Sequence, residues 1–155
     1  MEQPSKKRHE ALQPLSRHHH HALALAQMLV KQKEDVETMR VKAMNFWEQG
    51  GREHFREEEE ILLPEYAKYQ PIDIPEIRGL LLEHITIRSL VSEIVDGAGV
   101  DKMLALGTLL QHHVRREEQV VFPMVEQGIP QEALSRLQPY FEEHLSSSIF
   151  RMNRE

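Results

Sequence analysis

Apolar residues recur every three or four positions along most of the chain, which is the spacing that predicts amphipathic α-helices. The chain has no run of alternating apolar and polar residues of the kind that predicts a half-buried strand. Four helical segments of about 20 residues, joined by short connections, favour an up-down-up-down arrangement. The sequence therefore predicts an all-α fold, an up-down-up-down four-helix bundle with an additional C-terminal helix.

Breaks in the apolar pattern set the predicted boundaries of the helices. Gly50 and Gly51 interrupt the second helix, yet the apolar phase continues through them, so we predict one long helix, straight or kinked. Pro64 is expected to end or kink that helix. The predicted helices cover residues 15–33, 36–64, 75–95, 101–121 and 131–150. The predicted organisation is a flexible N-terminus at 1–12, the bundle at 13–128 and a flanking C-terminal helix at 129–155.

One motif occurs twice, on the second and fourth predicted helices. His54 and Glu58 form the first pair, His113 and Glu117 form the second, and a proline follows each His by ten positions. Residues four apart on a helix are separated by about 40° around the axis and about 6 Å along it, so each pair shares one face. The spacing of apolar residues along each helix predicts that this face points into the core. The same phase predicts that Ile61 and Val120 point inward and that Glu57, Glu59 and Glu60 point into water.

Each of the other two bundle helices also carries an inward histidine. On the first helix four histidines are consecutive, and His19 lies nearest the centre of the apolar face. His18 lies at the edge of that face, and His20 points further out. On the third helix His84 takes an inward position. We interpret His19 as the leading candidate ligand of the run, with His18 and His20 as alternates.

Two inward glutamates with four inward histidines predict a bound cation. A buried carboxylate is costly unless it is paired or bound to a metal, and Arg88 is the only inward basic side chain on these helices. Six ligands are too many for one tetrahedral zinc ion. They suit two ions bridged by Glu58 and Glu117, with positions left for an oxo or hydroxo bridge and a small ligand. Imidazole with carboxylate favours iron, manganese or zinc over calcium.

These residues resemble the hemerythrin-like, HHE cation-binding domains. The resemblance covers roughly residues 12–126. It is carried by the histidines of the first predicted helix, by Glu83-His84, and by the two His-x-x-x-Glu motifs that end in Leu-Leu-Pro and Val-Phe-Pro. It implies a four-helix bundle around a non-haem di-iron centre. It also implies a function in binding or sensing dioxygen or nitric oxide, or in handling iron.

Two features depart from the oxygen-carrying members of that family. Those proteins have a second histidine on the third helix, one turn after the first, where this chain has Arg88. They also have an aspartate five residues after the histidine of the fourth helix. In this chain Glu117 follows His113 by four residues and Glu118 follows it by five. We interpret Glu118 as a supporting or alternate ligand. Arg88 either pairs with a bridging glutamate or a bound anion, or extends to the surface.

The composition limits the kinds of partner and the cellular compartment that we expect for this protein. The chain has no cysteine, which excludes thiolate metal sites and disulfides, and its net charge of −6 with scattered basic residues disfavours nucleic acid. No apolar run approaches the roughly 20 residues of a membrane span, and no signal peptide follows the basic start. We therefore expect a cytoplasmic protein.

Three hypotheses for the function follow from the sequence. The first is a di-iron protein that binds or senses a small diatomic ligand, which we favour over an enzyme. The second is a di-iron oxidoreductase, such as a ferroxidase or an enzyme that consumes peroxide or nitric oxide. The third is a metal-free helical interaction module. The sequence leaves a protein partner open, and His144 in the fifth helix is either exposed or covers the open end of the site.

Overall fold

The computed structural model describes residues 7–141, and within that range the chain is helical and contains no strand. The fold class predicted from the sequence is confirmed. Between residues 7 and 141, a short 3-10 helix spans Glu10–Leu12 and precedes eight α-helices, α1 to α8 in chain order. The α-helices are α1 Gln13–Lys31, α2 Val36–Phe46, α3 Arg52–Glu57, α4 Leu63–Ala67, α5 Pro75–Val95, α6 Val100–Arg116, α7 Phe122–Gly128 and α8 Gln131–Ser135.

The helices form four walls. The first wall is α1, the second is the run from α2 to α4, the third is α5, and the fourth is α6 with α7. Helix α1 packs against α2 and α6, and α5 packs against the same two helices. Gly107 lets α6 approach α1 closely, because a Cβ atom there would lie 2.9 Å from the carbonyl oxygen of Ala26. None of the helices between residues 7 and 141 is long and apolar enough to span a bilayer.

The second wall is continuous in path but kinked at Gly50. Gly50 has φ 178° and ψ −33°, and the five residues Trp47–Gly51 form a wide π-helical turn between α2 and α3. Pro64 does not end this wall, which continues to Ala67. Pro64 lies in the first turn of α4, directly after a second π turn, where a missing N–H is tolerated.

Wide turns also shift the inward positions of the repeated motif by one residue. A π turn spans Glu58–Leu62 in the second wall, and another spans Glu117–Val121 in the fourth. Each π turn uses one residue more than an α turn, so the α-helical phase no longer applies beyond it. The inward placement of Val120 was wrong, since it is 40% exposed while Val121 is buried. Ile61 is only half-buried for the same reason, and Leu62 takes the core position.

Two apolar clusters fill the bundle, and a polar layer lies between them. One cluster contains Leu15, Leu62, Leu80 and Val121, and the other contains Ala22, Phe46, Ile87 and Leu110. On each wall the buried histidines and glutamates lie between members of the two clusters. The apolar layers above and below therefore exclude water from this polar layer and fix its height in the bundle.

The ends of the described chain pack against the first cluster. Ala11 and Leu12, at the end of the segment predicted to be flexible, are buried together with Leu134 and Phe141. The predicted fifth helix begins as α8, and helical backbone resumes at 138–141 after a turn. Residues 142–150 of that helix, including His144, lie outside the described residues. The division of the chain into three segments stays a prediction.

Candidate metal centre

The four walls bring all six candidate ligands into the polar layer. Their side chains form two groups of four, and within each group the ligand atoms lie within 4.8 Å of one another. Each of the six residues is 4% exposed or less. One group is His19, His54, Glu58 and Glu117, and the other is Glu58, His84, His113 and Glu117. Glu58 and Glu117 belong to both groups, which is the arrangement of two bridging carboxylates.

The two π turns begin at the two shared glutamates. The backbone N–H of Leu63 donates to the carbonyl of Glu58, and that of Phe122 donates to the carbonyl of Glu117, in each case five residues back. Such turns are rare and are frequently found at functional sites. The repeat seen in the sequence is therefore also a repeat of backbone geometry, and it presents both carboxylates from the same position of a widened turn.

Four buried ligand atoms in this layer have no hydrogen-bond partner. They are Glu58 Oε1, His84 Nε2, His113 Nε2 and Glu117 Oε2. His84 Nε2 and Glu58 Oε1 approach to 3.1 Å, but the angles are not those of a hydrogen bond. Buried polar atoms are normally paired, so a convergent set of unpaired nitrogen and carboxylate oxygen atoms fits a cation. The residues present therefore fit the metal that the sequence predicts.

The two shared carboxylates have opposite electrostatic environments. Burial and the neighbouring Glu117 raise the pKa of Glu58 well above its ordinary value. Burial would also raise the pKa of Glu117, but His113, a hydrogen bond from His19 and the nearby imidazole of His54 outweigh burial and hold that pKa well below its ordinary value. The pair therefore keeps one proton in the metal-free chain, because two adjacent buried charges repel. A bound cation would replace that proton.

The pKa values of His19 and His84 shift in the same sense. Burial alone would lower both, but hydrogen bonds to Glu117 and Glu118 raise the pKa of His19, and the nearby carboxylate of Glu58 together with the hydrogen bond to Glu59 raises that of His84. Each imidazole thus binds its second proton more tightly than an imidazole in water does. Metal binding requires that this proton leave.

Three of the four histidines are held from behind by a carboxylate. In each case Nδ1 donates to a glutamate while Nε2 faces the shared carboxylates. This arrangement fixes the ring orientation of a metal-binding histidine and makes its other nitrogen more basic. The three bonds are His19 to Glu118 Oε2 at 2.6 Å, His84 to Glu59 Oε2 at 2.6 Å, and His113 to Glu83 Oε1 at 2.9 Å.

An arginine lies against each of these three carboxylates. The arginine neutralises the carboxylate charge and limits its movement, so the position of the imidazole is fixed through two successive contacts. The pairs are Arg8 Nη2 with Glu118 Oε1 at 3.4 Å, Arg88 Nη1 with Glu59 Oε2 at 2.7 Å, and Arg116 Nε with Glu83 Oε2 at 2.9 Å. Ser16 also donates to Glu118 Oε2 at 2.7 Å.

Sequence reasoning missed two of these supporting carboxylates. Glu59 was predicted to point into water, but it is half-buried between the second wall and α5, against His84. Glu57 was predicted to be solvated as well and is buried, whereas Glu60 is exposed as predicted. Glu83 supports His113 rather than its neighbour His84, because adjacent helical residues point about 100° apart. Arg88, one turn after His84, was the feature of the sequence that could have indicated an acidic partner such as Glu59.

The alternates within the histidine run have different environments. His18 is buried and its Nδ1 lies 3.0 Å from Nδ1 of His54, whereas His20 is exposed. Burial, with the neighbouring imidazoles of His54, His21 and His19, lowers the pKa of His18 to about 2. His18 is therefore a neutral imidazole that contacts a candidate ligand.

Arg88 turns away from the centre of the polar layer. It pairs with Glu59, and its guanidinium carbon lies 5.6 Å from the ring centre of Phe55. The Phe55 ring stacks on His84 with centroids 3.9 Å apart and planes 3° from parallel. The space beside His84 is thus filled by an aromatic ring, and position 88 contributes no side chain to either ligand group.

A surface cavity of about 490 Å³ reaches His19. Its walls include Ser16, Leu23, Val114 and Glu118. The cavity lies on the outer side of the hydrogen bond between His19 and Glu118. It therefore brings solvent close to the His19 side of the polar layer.

Comparison with known proteins gives one match. The family described as the hemerythrin HHE cation-binding domain matches residues 10–125, more than half of the 155-residue chain. The matched range contains all six candidate ligands and three of the four basic or aromatic neighbours described above, Phe55, Arg88 and Arg116. No curated protein and no solved structure matches the chain significantly.

Proposed function

Since the chain belongs to the hemerythrin HHE cation-binding domain family, we propose that it holds two non-haem iron ions and binds or senses a small ligand such as dioxygen or nitric oxide. One observation carries this proposal. Two buried groups of four ligand atoms share Glu58 and Glu117, so the same six residues serve two ions. Manganese or zinc would be accepted by the same donors.

Each residue has a defined part in the proposed centre. His19 and His54 would hold one ion and His84 and His113 the other, and Glu58 and Glu117 would be shared, because they belong to both groups of ligand atoms. Glu118, Glu59 and Glu83 fix the rings behind the ligand nitrogens. Bound iron would supply a reversible change of oxidation state and open positions for a diatomic ligand. The apolar layers on both sides would exclude water from that ligand.

The packing around the layer favours a very small ligand. All six candidate ligands are buried, and Phe55 lies flat on His84. The surface cavity that reaches His19 is the place at which a small molecule would enter. A larger organic substrate would have to displace core side chains, which cores resist because they are close-packed.

The test is metal analysis with absorption spectroscopy on the full chain, before and after anaerobic reduction. Expression in iron-rich medium should give two irons per chain and an absorption band that bleaches with reductant. Stoichiometric and reversible addition of dioxygen or nitric oxide to the reduced protein would support binding. A Glu58→Gln/Glu117→Gln double variant is the matched control and should lack the band.

Two outcomes would contradict the proposal in different ways. Near-zero iron in the wild-type chain would eliminate the di-iron centre and favour a metal-free helical module. Continuous consumption of nitric oxide, peroxide or ferrous iron would assign the same residues to an oxidoreductase. Stopped-flow assays with excess substrate separate turnover from binding.

A further inference from the structure

His54 is held differently from the other three candidate histidines. His19, His84 and His113 each donate to a carboxylate that contacts an arginine, whereas Nδ1 of His54 faces Nδ1 of His18 at 3.0 Å. Both rings are buried. The second contact of His54 in the polar layer is therefore an imidazole and not a carboxylate.

His18 fits in this position because residue 50 is a glycine. Its ring stacks on Phe46, with centroids 5.7 Å apart and planes 21° from parallel. Its Nε2 is buried without a hydrogen-bond partner and points at Gly50. A Cβ atom on Gly50 would overlap that nitrogen and would lie 3.2 Å from Cδ2 of the same ring. Any side chain at position 50 would therefore push His18 away from its place behind His54.

The position of the protons follows from this geometry. His54 directs Nε2 towards Glu58 Oε2 at 2.9 Å and towards Glu117 Oε1 at 3.6 Å, so Nε2 is its ligand atom. A histidine that binds through Nε2 carries its proton on Nδ1. That proton is donated to Nδ1 of His18, and His18 then keeps its own proton on Nε2, beside Gly50. The pair thus selects one tautomer for each ring.

An imidazole supports a histidine ligand less strongly than a carboxylate does, because it carries no negative charge. A carboxylate behind an imidazole raises the basicity of the ligand nitrogen, and removal of such support typically weakens metal binding about 10- to 100-fold. Both histidines of the His84–His113 subsite have carboxylate support, whereas only one histidine of the His19–His54 subsite does. The two subsites are therefore chemically unequal although each has two histidines.

We infer that His18, admitted by Gly50, is the positioning residue of His54, and that an imidazole in the place of a carboxylate makes the His19–His54 subsite the more readily exchanged of the two. This inference rests on the proposed two-ion centre. It assigns to the first histidine of the run a function that is distinct from ligation, because His18 belongs to neither group of ligand atoms.

Three substitutions test the inference in the full chain. His18→Leu removes the hydrogen bond and keeps an apolar volume. His18→Asn keeps a polar atom close to the place of Nδ1, and so should retain the contact with His54. Gly50→Ala leaves His18 in the sequence but displaces its ring. His20→Leu changes the exposed neighbour of the same run and serves as the control.

The measurement is the release of iron to an excess of chelator, followed by absorption and by metal analysis. The wild-type chain should lose its two ions in two phases of equal amplitude. His18→Leu and Gly50→Ala should accelerate the faster phase about 10- to 100-fold and leave the slower phase unchanged. His18→Asn and His20→Leu should stay close to wild type. Circular dichroism of each variant checks that the bundle is retained.

A second readout does not depend on a folded Leu variant. Nitrogen-15 NMR of the zinc-loaded chain should show the proton of His18 on Nε2 and that of His54 on Nδ1. The opposite tautomers would overturn the inference, as would equal acceleration of both phases or none in His18→Leu. A wild-type chain that binds no metal would instead eliminate the proposed function itself.

Discussion

Glu58 and Glu117 stand at equivalent points of two walls, and each contributes a ligand atom to both groups of the polar layer. Each follows a histidine by four residues, and each opens a π turn. The two carboxylates are fully or almost fully buried and come within the same 4.8 Å limit. Every property expected of the centre depends on this pair, because it is the only element common to both subsites among the described residues.

Substitution of either shared glutamate should therefore affect both ions. Glu117→Ala removes a carboxylate from each subsite, so we expect iron content to fall from two ions per chain to less than one. His84→Ala touches one subsite and should leave about one ion. Metal analysis of purified protein measures both values. Loss of a single ion in Glu117→Ala would show that this residue does not bridge.

The glutamates that accept hydrogen bonds from the candidate histidine ligands should contribute to metal affinity, although the sequence alone does not single them out. Glu59→Ala removes the acceptor for His84 Nδ1, and we expect affinity for the ion at His84 to fall about 10- to 100-fold. Glu60→Ala, one residue later and exposed, is the matched control and should not change affinity. Competition with a chelator of known affinity gives the ratio. Equal behaviour of the two variants would contradict the supporting function of Glu59.

Removal of metal should destabilise the bundle. A ligand that binds the folded chain at 100 times its Kd adds about 2.7 kcal/mol to the free energy of unfolding. For a domain of this size that corresponds to a rise in Tm of roughly 5–10 °C. Thermal denaturation with and without chelator measures the difference. The Glu58→Gln/Glu117→Gln variant should show no shift, and an unchanged Tm in the wild type would favour a metal-free module.

Metal binding should release protons, and acid should weaken it. Burial and Glu117 raise the pKa of Glu58, and the pKa values of His19 and His84 are raised as well, so these groups bind protons more tightly in the metal-free chain than they would in water. An ion must displace those protons, so affinity should increase as pH rises and fall as pH drops. Calorimetric titration in buffers of different ionisation enthalpy counts the released protons. A value of zero would contradict the protonated arrangement.

The close approach of α1 and α6 should be sensitive to a single methyl group. In Gly107→Ala the new Cβ atom would lie 2.9 Å from the carbonyl oxygen of Ala26 and 2.9 Å from Cβ of Leu29. Overpacking typically costs 1–3 kcal/mol and offsets the gain of about 1 kcal/mol in helix propensity, so we expect a net loss of about 1 kcal/mol. Gly99→Ala is the control, because a Cβ there meets no atom within 4 Å. Chemical denaturation compares the two.

Local rules were sufficient to predict the walls and the six converging residues. The spacing of His54 with Glu58 and of His113 with Glu117 fixes each pair on one helical face, whatever the rest of the chain does. The apolar phase then identifies that face as inward for these pairs and for His19 and His84. The start and end of α5 were predicted at the observed residues for the same reason, since Pro75 and the glycines after Val95 act within one turn.

The same rules failed wherever a residue depends on a neighbouring wall. Val120 points outward because a π turn adds a residue, and apolar periodicity assumes a uniform helix. Glu59 appeared to be one of several solvated acids, and only the packing of α5 against the second wall brings it to His84. His18 appeared to lie at the edge of its face until the kink at Gly50 made room for it beside His54.

The sequence by itself determined the main helices and the inward placement of the six residues proposed to hold two ions, because those features repeat with the period of the helix. Only the tertiary structure decided which side chain contacts each of the four histidines on the side away from the shared carboxylates. These side chains are Glu118, Glu59 and Glu83 for three histidines, and His18 for the fourth. These contacts depend on the rotation and register of one wall against another. Both are set by the packing of the two apolar clusters, which no single helix encodes.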